Sequence, residues 1–146
     1  EYHEIGLLFM YYLLKSRGIS TIYLGANVPI SDVEYVVNLK KPDYLYLHLT
    51  SVGHNFNFDR FILSITKKFA GTPIIISGLL AQSYERKIPP HINFKKSFIE
   101  VMEFVDYLKR PEPYQVCYFV LLFPLLCDAI RPCVIIGQFY QVTRSM

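Results

Sequence analysis

A histidine and a carboxylate stand close together at the start of the chain, in the segment Glu1-Tyr2-His3-Glu4-Ile5-Gly6. A neutral imidazole can bind a metal ion through one ring nitrogen while its other N–H donates to a carboxylate, which raises the basicity of the ligand. Glu1 lies two residues before His3 and can supply that carboxylate. Gly6 allows the backbone to approach a large ligand closely. The spacing therefore predicts a metal or cofactor site with His3 as the ligand and Glu1 behind it.

No other set of catalytic residues is recognisable in the sequence. The chain has no P-loop, no Gly-rich dinucleotide motif and no Ser-His-Asp or Cys-His pattern. Its three cysteines, Cys117, Cys127 and Cys133, lack CxxC spacing, which argues against a zinc site and against a disulfide framework. We therefore expect this chain by itself not to be an enzyme.

Composition narrows the class of protein further. The chain has 146 residues, 52% of them hydrophobic, which suits one domain with its own core. A net charge of +3 is too small to favour nucleic-acid binding by this chain. No apolar stretch reaches the roughly 20 residues that span a bilayer, and no signal peptide opens the chain. We expect a cytoplasmic location without a membrane partner, and, because the chain begins at Glu1, we expect a piece of a longer protein.

Helical and strand patterns alternate along residues 1–110. Gly18 predicts a left-handed cap on the first helix, which is apolar nearly all round and is expected to be buried on most sides. Two serine–glutamate pairs, Ser31/Glu34 and Ser97/Glu100, predict capping boxes. The alternation predicts an α/β fold, flavodoxin-like (Rossmann-like), with a parallel sheet sandwiched by helices. The predicted helices are 6–17, 31–41, 57–70 and 97–109, with a helix or turn at 79–87, and the predicted strands are 19–24, 43–50, 73–77 and 92–94.

The first strand of this pattern is expected to be truncated, because nothing before Glu1 can form it. In a flavodoxin-like strand order that strand would be central. Residues 111–146 form a second segment: from Tyr114 onward only Asp128, Arg131 and Arg144 are charged. We expect this apolar tail not to be part of the core formed by residues 1–110. No functional role for it can be inferred from the sequence.

Ligands of open parallel sheets bind at the carboxyl ends of the strands. Three loops, residues 1–6, 50–57 and 77–80, are predicted to converge on that edge. His48 alternates along a buried strand, which favours a hydrogen-bonded histidine of the core or its rim rather than a ligand. Phe9 and Met10 are expected to serve helix packing.

The motif Glu1-x-His3-x-x-Gly6, the later Tyr23–Pro29 loop and Ile75–Gly78 together resemble the cobalamin-binding domain, over about residues 1–108. The resemblance implies that His3 is the lower axial ligand of cobalt. It also implies that the displaced nucleotide tail of the cofactor, which is adenosylcobalamin or methylcobalamin, runs beside the sheet. The implied cofactor-binding residues are Glu1, His3, Gly6, Tyr46, Thr50, Ser51, Ser77 and Gly78.

The chain departs from the family pattern at two of these positions. Tyr46-Leu47-His48 aligns with the family's S-x-L motif, so a tyrosine replaces a serine that contacts the buried base, and Thr50 or Ser51 nearby could substitute for that serine. Ser77-Gly78 aligns with a Gly-Gly pair that makes room for the tail. Tyr46 could fill the channel that the tail requires.

Glu1 and Leu7 make the chain more similar to the sensory domain of MerR-type transcriptional regulators than to enzyme carrier domains, which usually have Asp and often Lys at these positions. The resemblance then implies a cobalamin-binding sensory module whose ligand alters packing or homo-oligomerisation. DNA would be bound only through an upstream domain outside this chain. Two alternatives stay open: a corrinoid carrier domain of a methyltransferase or mutase, and a degenerate domain that keeps the fold and no longer binds cobalamin.

Overall fold

The structure is a computed structural model that describes residues 4–50, 56–109, 133–137 and 139–140. Helices and strands alternate along this part of the chain, as the sequence predicts, and two short strands follow at its end. The elements are α1 Ile5–Ser16, β1 Ser20–Tyr23, β2 Val28–Pro29, α2 Ile30–Lys40, β3 Tyr44–His48, α3 Phe58–Lys68, β4 Ile74–Ser77, α4 Leu79–Gln82, β5 Ile92–Lys95, α5 Phe98–Lys109, β6 Cys133–Gly137 and β7 Phe139–Tyr140.

Five strands form one sheet in the order β1-β6-β3-β4-β5, and every neighbouring pair in it is parallel. This confirms the α/β, flavodoxin-like fold. The register places the last residues of three strands side by side: His48 of β3 pairs with Ser77 of β4, and Ser77 pairs with Lys95 of β5. A separate parallel pair joins β2 to β7. The sheet therefore has a carboxyl edge at which polar side chains from three strands meet.

An interior position of the sheet, between β1 and β3, is occupied by β6, a strand from the apolar tail. It pairs with β1 on one side and with β3 on the other. Val134, Ile135 and Ile136 are completely buried, as expected of a parallel strand that is covered on both faces. The expected gap is thus filled by residues 133–137. This differs from the expectation that the tail lies outside the core, and the reason is that its β-branched run suits a buried strand.

Successive side chains of each strand point to opposite faces of the sheet, so the core has two layers. One layer lies under α1 and α5, and its sheet residues include Tyr46, Ile75 and Ile136. The other layer lies under α2 and α3, and its sheet residues include Leu47 and Ile76. The layer that contains Tyr46 is the one that borders the site described below.

The sequence predicts specific caps at the end of α1 and at the start of α5. Gly18 has φ +73°, and the N–H groups of Gly18 and Ile19 donate to the carbonyls of Lys15 and Leu14, which confirms the predicted left-handed cap on α1. At the start of α5, Ser97 Oγ accepts from the N–H of Glu100 at 3.2 Å. The Glu100 carboxylate in turn accepts from the N–H of Lys96 at 3.0 Å, one residue before the expected donor.

The capping box predicted for α2 is wrong. No side chain caps this helix, whose N-cap residue is Pro29. Ser31 Oγ donates to Asp32 instead, and Glu34 forms an ion pair with Lys68 of α3. A tertiary contact thus takes the carboxylate that the local pattern assigned to the backbone.

The expectation that α1 is buried on most sides is also wrong. Its outer face is exposed because α1 covers the sheet from one side only, with no second layer outside it in the described part of the chain. The buried residues are Leu7, Met10, Leu13 and Leu14, and the exposed large apolar ones are Ile5, Leu8, Phe9 and Tyr12. None of the helices in the described ranges is long and apolar enough to cross a bilayer.

Candidate functional site

A cleft of about 200 Å³ lies between α1 and α5 at the carboxyl edge of the sheet. Four apolar side chains from the two helices form its walls, three hydrogen-bonded side chains from β3 and β4 form its floor, and glycines, lysines and other polar residues form its rim. The walls are Phe9, Met10, Phe98 and Val101; the floor is Tyr46, His48 and Ser77; and the rim is Gly6, Gly78, Gln82, Lys95, Lys96 and Ser97.

The floor is one connected hydrogen-bond network. Tyr46 Oη and Ser77 Oγ are 2.5 Å apart, and His48 Nδ1 lies 2.9 Å from the same Ser77 oxygen. A hydroxyl carries a single proton and two lone pairs, so Ser77 donates to at most one of its two partners. Tyr46 and Ser77 are each only 2% exposed. The network therefore satisfies polar groups that the fold has removed from water.

Burial keeps this network uncharged at neutral pH. It raises the pKa of Tyr46 to about 12, an effect that the hydrogen bond to Ser77 partly offsets. It also lowers the pKa of His48 below the ordinary value of 6.5. In both cases the cause is that a buried group loses hydration of its charged form. The floor is thus made of a neutral phenol, a hydroxyl and a neutral imidazole.

Both predicted glycines stand where a side chain has no room. A Cβ on Gly6 would overlap the imidazole of His48. Gly78 has φ +101°, and a Cβ there would overlap the carbonyl oxygen of Leu49. Leu49 is held in place because its N–H donates to the Ser77 carbonyl at 2.8 Å, and its carbonyl accepts from the N–H of Leu80 at 3.2 Å. In each case the space beside the glycine is filled by the protein itself.

The structure brings four of the predicted site residues together: Gly6, Tyr46, Ser77 and Gly78 all line the cleft. Thr50 does not line it. The Oγ1 atom of Thr50 is buried and has no hydrogen-bond partner among the described residues. The other three predicted residues, Glu1, His3 and Ser51, lie outside the described part of the chain, so their roles stay predictions.

His48 forms a hydrogen bond at the rim of the core, as the sequence predicts. Within the described ranges, no group of three or more His, Cys, Asp or Glu side chains is placed to hold a metal ion.

Sequence reasoning missed the second wall of the cleft. Lys95 ends β5, and Lys96 and Ser97 lead into α5, which contributes Phe98 and Val101. The rule that the carboxyl ends of parallel strands share an edge applies to β5 as well, and it could have placed this junction at the site. Phe9 and Met10, expected only to pack α1, also face the cleft.

The volume and the lining of the cleft show whether the nucleotide tail of a cobalamin could enter it. Pockets that bury organic ligands commonly measure about 300–1,000 Å³, and this cleft measures about 200 Å³. The Tyr46 ring is buried at its floor, and the spaces beside Gly6 and Gly78 are taken by His48 and Leu49. A base with its ribose and phosphate therefore does not fit the cleft in this structure. This result concerns the tail alone.

Comparison with protein-family models, with curated proteins and with solved structures gave no match.

Proposed function

We propose that the chain is the sensory module of a MerR-type transcriptional regulator and that its ligand is a corrinoid bound at the carboxyl edge of the sheet. One observation carries the proposal. Gly6, Tyr46 and the Ser77-Gly78 pair are far apart in the sequence and line a single cleft between α1 and α5. They are also the residues through which the sequence resembles a cobalamin-binding domain. Such convergence supports a shared site, since packing alone requires no common cleft for them.

The proposed ligand contact is His3, three residues before Gly6, with Glu1 as the carboxylate behind it. DNA would be bound by another domain of the same protein, in the cytoplasm. A ligand at this edge lies next to α1 and α5, whose outer residues Ile5, Tyr12 and Ile99 are exposed apolar side chains. Binding there would transmit a signal by changing how these helices pack against a neighbouring domain or a second copy.

The test compares corrinoid retention by the 146-residue chain, by His3→Ala and by His91→Ala. His91 is the matched control, since it precedes β5 at the amino end of the strands. After gel filtration with adenosylcobalamin, methylcobalamin or cobinamide, we expect the wild type and His91→Ala to retain a corrinoid with the visible spectrum of imidazole-coordinated cobalt. His3→Ala should lose this spectrum. Equal spectra for His3→Ala and wild type would overturn the role of His3.

A second candidate is a domain that has kept this fold and lost its ligand. The observation that favours it is the Tyr46–Ser77 hydrogen bond of 2.5 Å, which closes the floor of the cleft with the protein's own side chains. It predicts that no corrinoid is retained by the wild-type chain at any concentration tested. No observation in the described part of the chain favours the carrier-domain alternative.

A further inference from the structure

We infer that the Tyr46 ring occupies the space that the base of a cobalamin tail would fill, so that the site accepts a corrinoid only when its nucleotide stays outside the cleft. The part of this inference that concerns corrinoids rests on the proposed function. The part that concerns the space filled by Tyr46 rests on the structure alone. Tyr46 is accordingly a specificity-determining residue for the size of what enters the cleft.

The direction of the Tyr46 side chain shows which space it fills. Its backbone is level with Ile75 of β4, yet its hydroxyl bonds Ser77, two residues nearer the carboxyl edge. The ring therefore runs along the strand toward the mouth of the cleft, beneath α1 and α5. It is among the largest fully buried side chains of the described residues.

The ring is also held in place. If Tyr46 swung away to admit a ligand, its hydroxyl would lose Ser77, and Ser77 would keep only His48 as a partner. A buried polar group left without a partner is unfavourable because it has lost its water and gained no hydrogen bond in return. An incoming base would have to displace a well-packed aromatic ring in addition, whereas removal of the ring by mutation leaves the space open.

The space that removal of the Tyr46 ring would open has a size and a lining that suit an aromatic base. An apolar cavity of about 150 Å³ stays dry and binds benzene, so a cavity left by the Tyr46 ring and joined to the existing cleft has room for a bicyclic aromatic molecule. Met10 and Val101 provide apolar walls, and Ser77 provides a hydroxyl that can pair with a ring nitrogen.

The first experiment uses benzimidazole as a probe that contains no metal. We expect benzimidazole to bind Tyr46→Ala, measured by calorimetry and by a rise in melting temperature, and not to bind the wild type. Tyr44→Ala is the matched control because Tyr44 lies on the same strand and face, packs edge-on against Phe104, and does not line the cleft. If Tyr46→Ala does not fold, Tyr46→Val serves instead, since valine suits a buried strand.

Two results would overturn the inference at this stage. One is benzimidazole binding to the wild type as tight as to the Tyr46 variant. The other is a folded Tyr46 variant that binds no better than Tyr44→Ala.

The second experiment compares dicyanocobinamide, which lacks the nucleotide, with cyanocobalamin, which carries it. We expect wild type to bind the cobinamide at least about tenfold more tightly, and Tyr46→Ala to remove most of that difference, because the buried ring and its paired hydroxyl no longer oppose the base. Equal affinity of the wild type for both corrinoids would overturn the inference. If no variant binds either corrinoid, the proposed function fails, and the benzimidazole result still decides what Tyr46 does.

Discussion

Among the single residues of the site, Ser77 connects the two side chains, Tyr46 and His48, that form the floor of the cleft with it. It donates to at most one of Tyr46 and His48. Tyr46 and Ser77 are buried, and His48 is half-buried. Neutral networks of this kind are stable when every member is paired and costly when one is not. The chemistry of the floor therefore depends on protonation and on the backbone that positions these side chains.

Protonation of His48 should make stability depend on pH. Because burial lowers the pKa of His48 in the folded state, the unfolded state takes up this proton first as the pH falls below 6.5. The His48 contribution to the free energy of unfolding is thus fully present above pH 6.5 and is lost as the pH falls toward the lower, folded-state pKa.

We expect wild type to lose more stability than His48→Gln between about pH 7 and pH 5, measured by urea unfolding at each pH. The variant keeps a polar side chain that can pair with Ser77 but does not titrate there. If the free energy of unfolding of the two proteins falls equally over this pH range, His48 is not the group responsible.

Gly78 is the backbone position on which the cleft floor depends most. Alanine there must adopt φ +101° and would overlap the Leu49 carbonyl, so we expect Gly78→Ala to lower the free energy of unfolding by at least about 2 kcal/mol. Gly71→Ala is the control, because a Cβ on Gly71 meets nothing within 4 Å. Its effect should be about 0.5 kcal/mol or less. Equal losses in chemical denaturation would show that the Gly78 conformation is not required.

At the scale of elements, β6 holds the sheet together. In the described part of the chain β1 and β3 are not neighbours, and each pairs with β6. The strand supplies both hydrogen-bonding edges and apolar side chains to both layers of the core. Its loss would therefore separate β1 from the rest of the sheet.

Ile135→Ala tests the position of this strand. Ile135 is completely buried, and truncation of a buried isoleucine to alanine typically costs about 2–5 kcal/mol. Leu63→Ala, on the solvent side of α3 with 59% exposure, should cost about 0.5 kcal/mol or less. Denaturation curves that coincide for the two variants would place β6 outside the core.

At the scale of the whole molecule, the sheet separates two layers that should respond differently to a ligand. The cleft belongs to the layer under α1 and α5, and the layer under α2 and α3 has no residue in its lining. Ion pairs at the surface link distant parts of the described chain, for example Arg17, the C-cap residue of α1, to Asp106 of α5 at 3.0 Å. Exposed pairs of this kind add little to stability, so the packed layers carry any coupling.

Hydrogen exchange of backbone amides can show whether a ligand affects one layer and leaves the other unchanged. With benzimidazole bound to Tyr46→Ala, we expect slower exchange of amides in α1, β3 and α5, because a ligand in the cleft suppresses local opening of the elements around it. Amides of α2 and α3 should be unchanged. Uniform protection of all helices would indicate global stabilisation rather than binding in this cleft.

Features that depend on neighbouring residues along the chain could be predicted before the fold was known. The β-branched run at residues 73–77 predicts a buried strand, Gly18 predicts the end of α1, and the order of elements predicts a parallel α/β sheet, all of which the structure shows. These signals are local because backbone conformation and side-chain periodicity are set within a few residues.

Contacts between residues that are distant in the sequence could be seen only in the folded chain. Ser77 pairs with Tyr46 from 31 positions away, and Glu34 turns from its own helix to Lys68 of α3. The apolar run at residues 134–136 suits any buried strand, and its place between β1 and β3 follows from the edges that the other strands leave unpaired. Pairings of this kind are set by competition among all the surfaces of the folded chain, so no short stretch of sequence contains them.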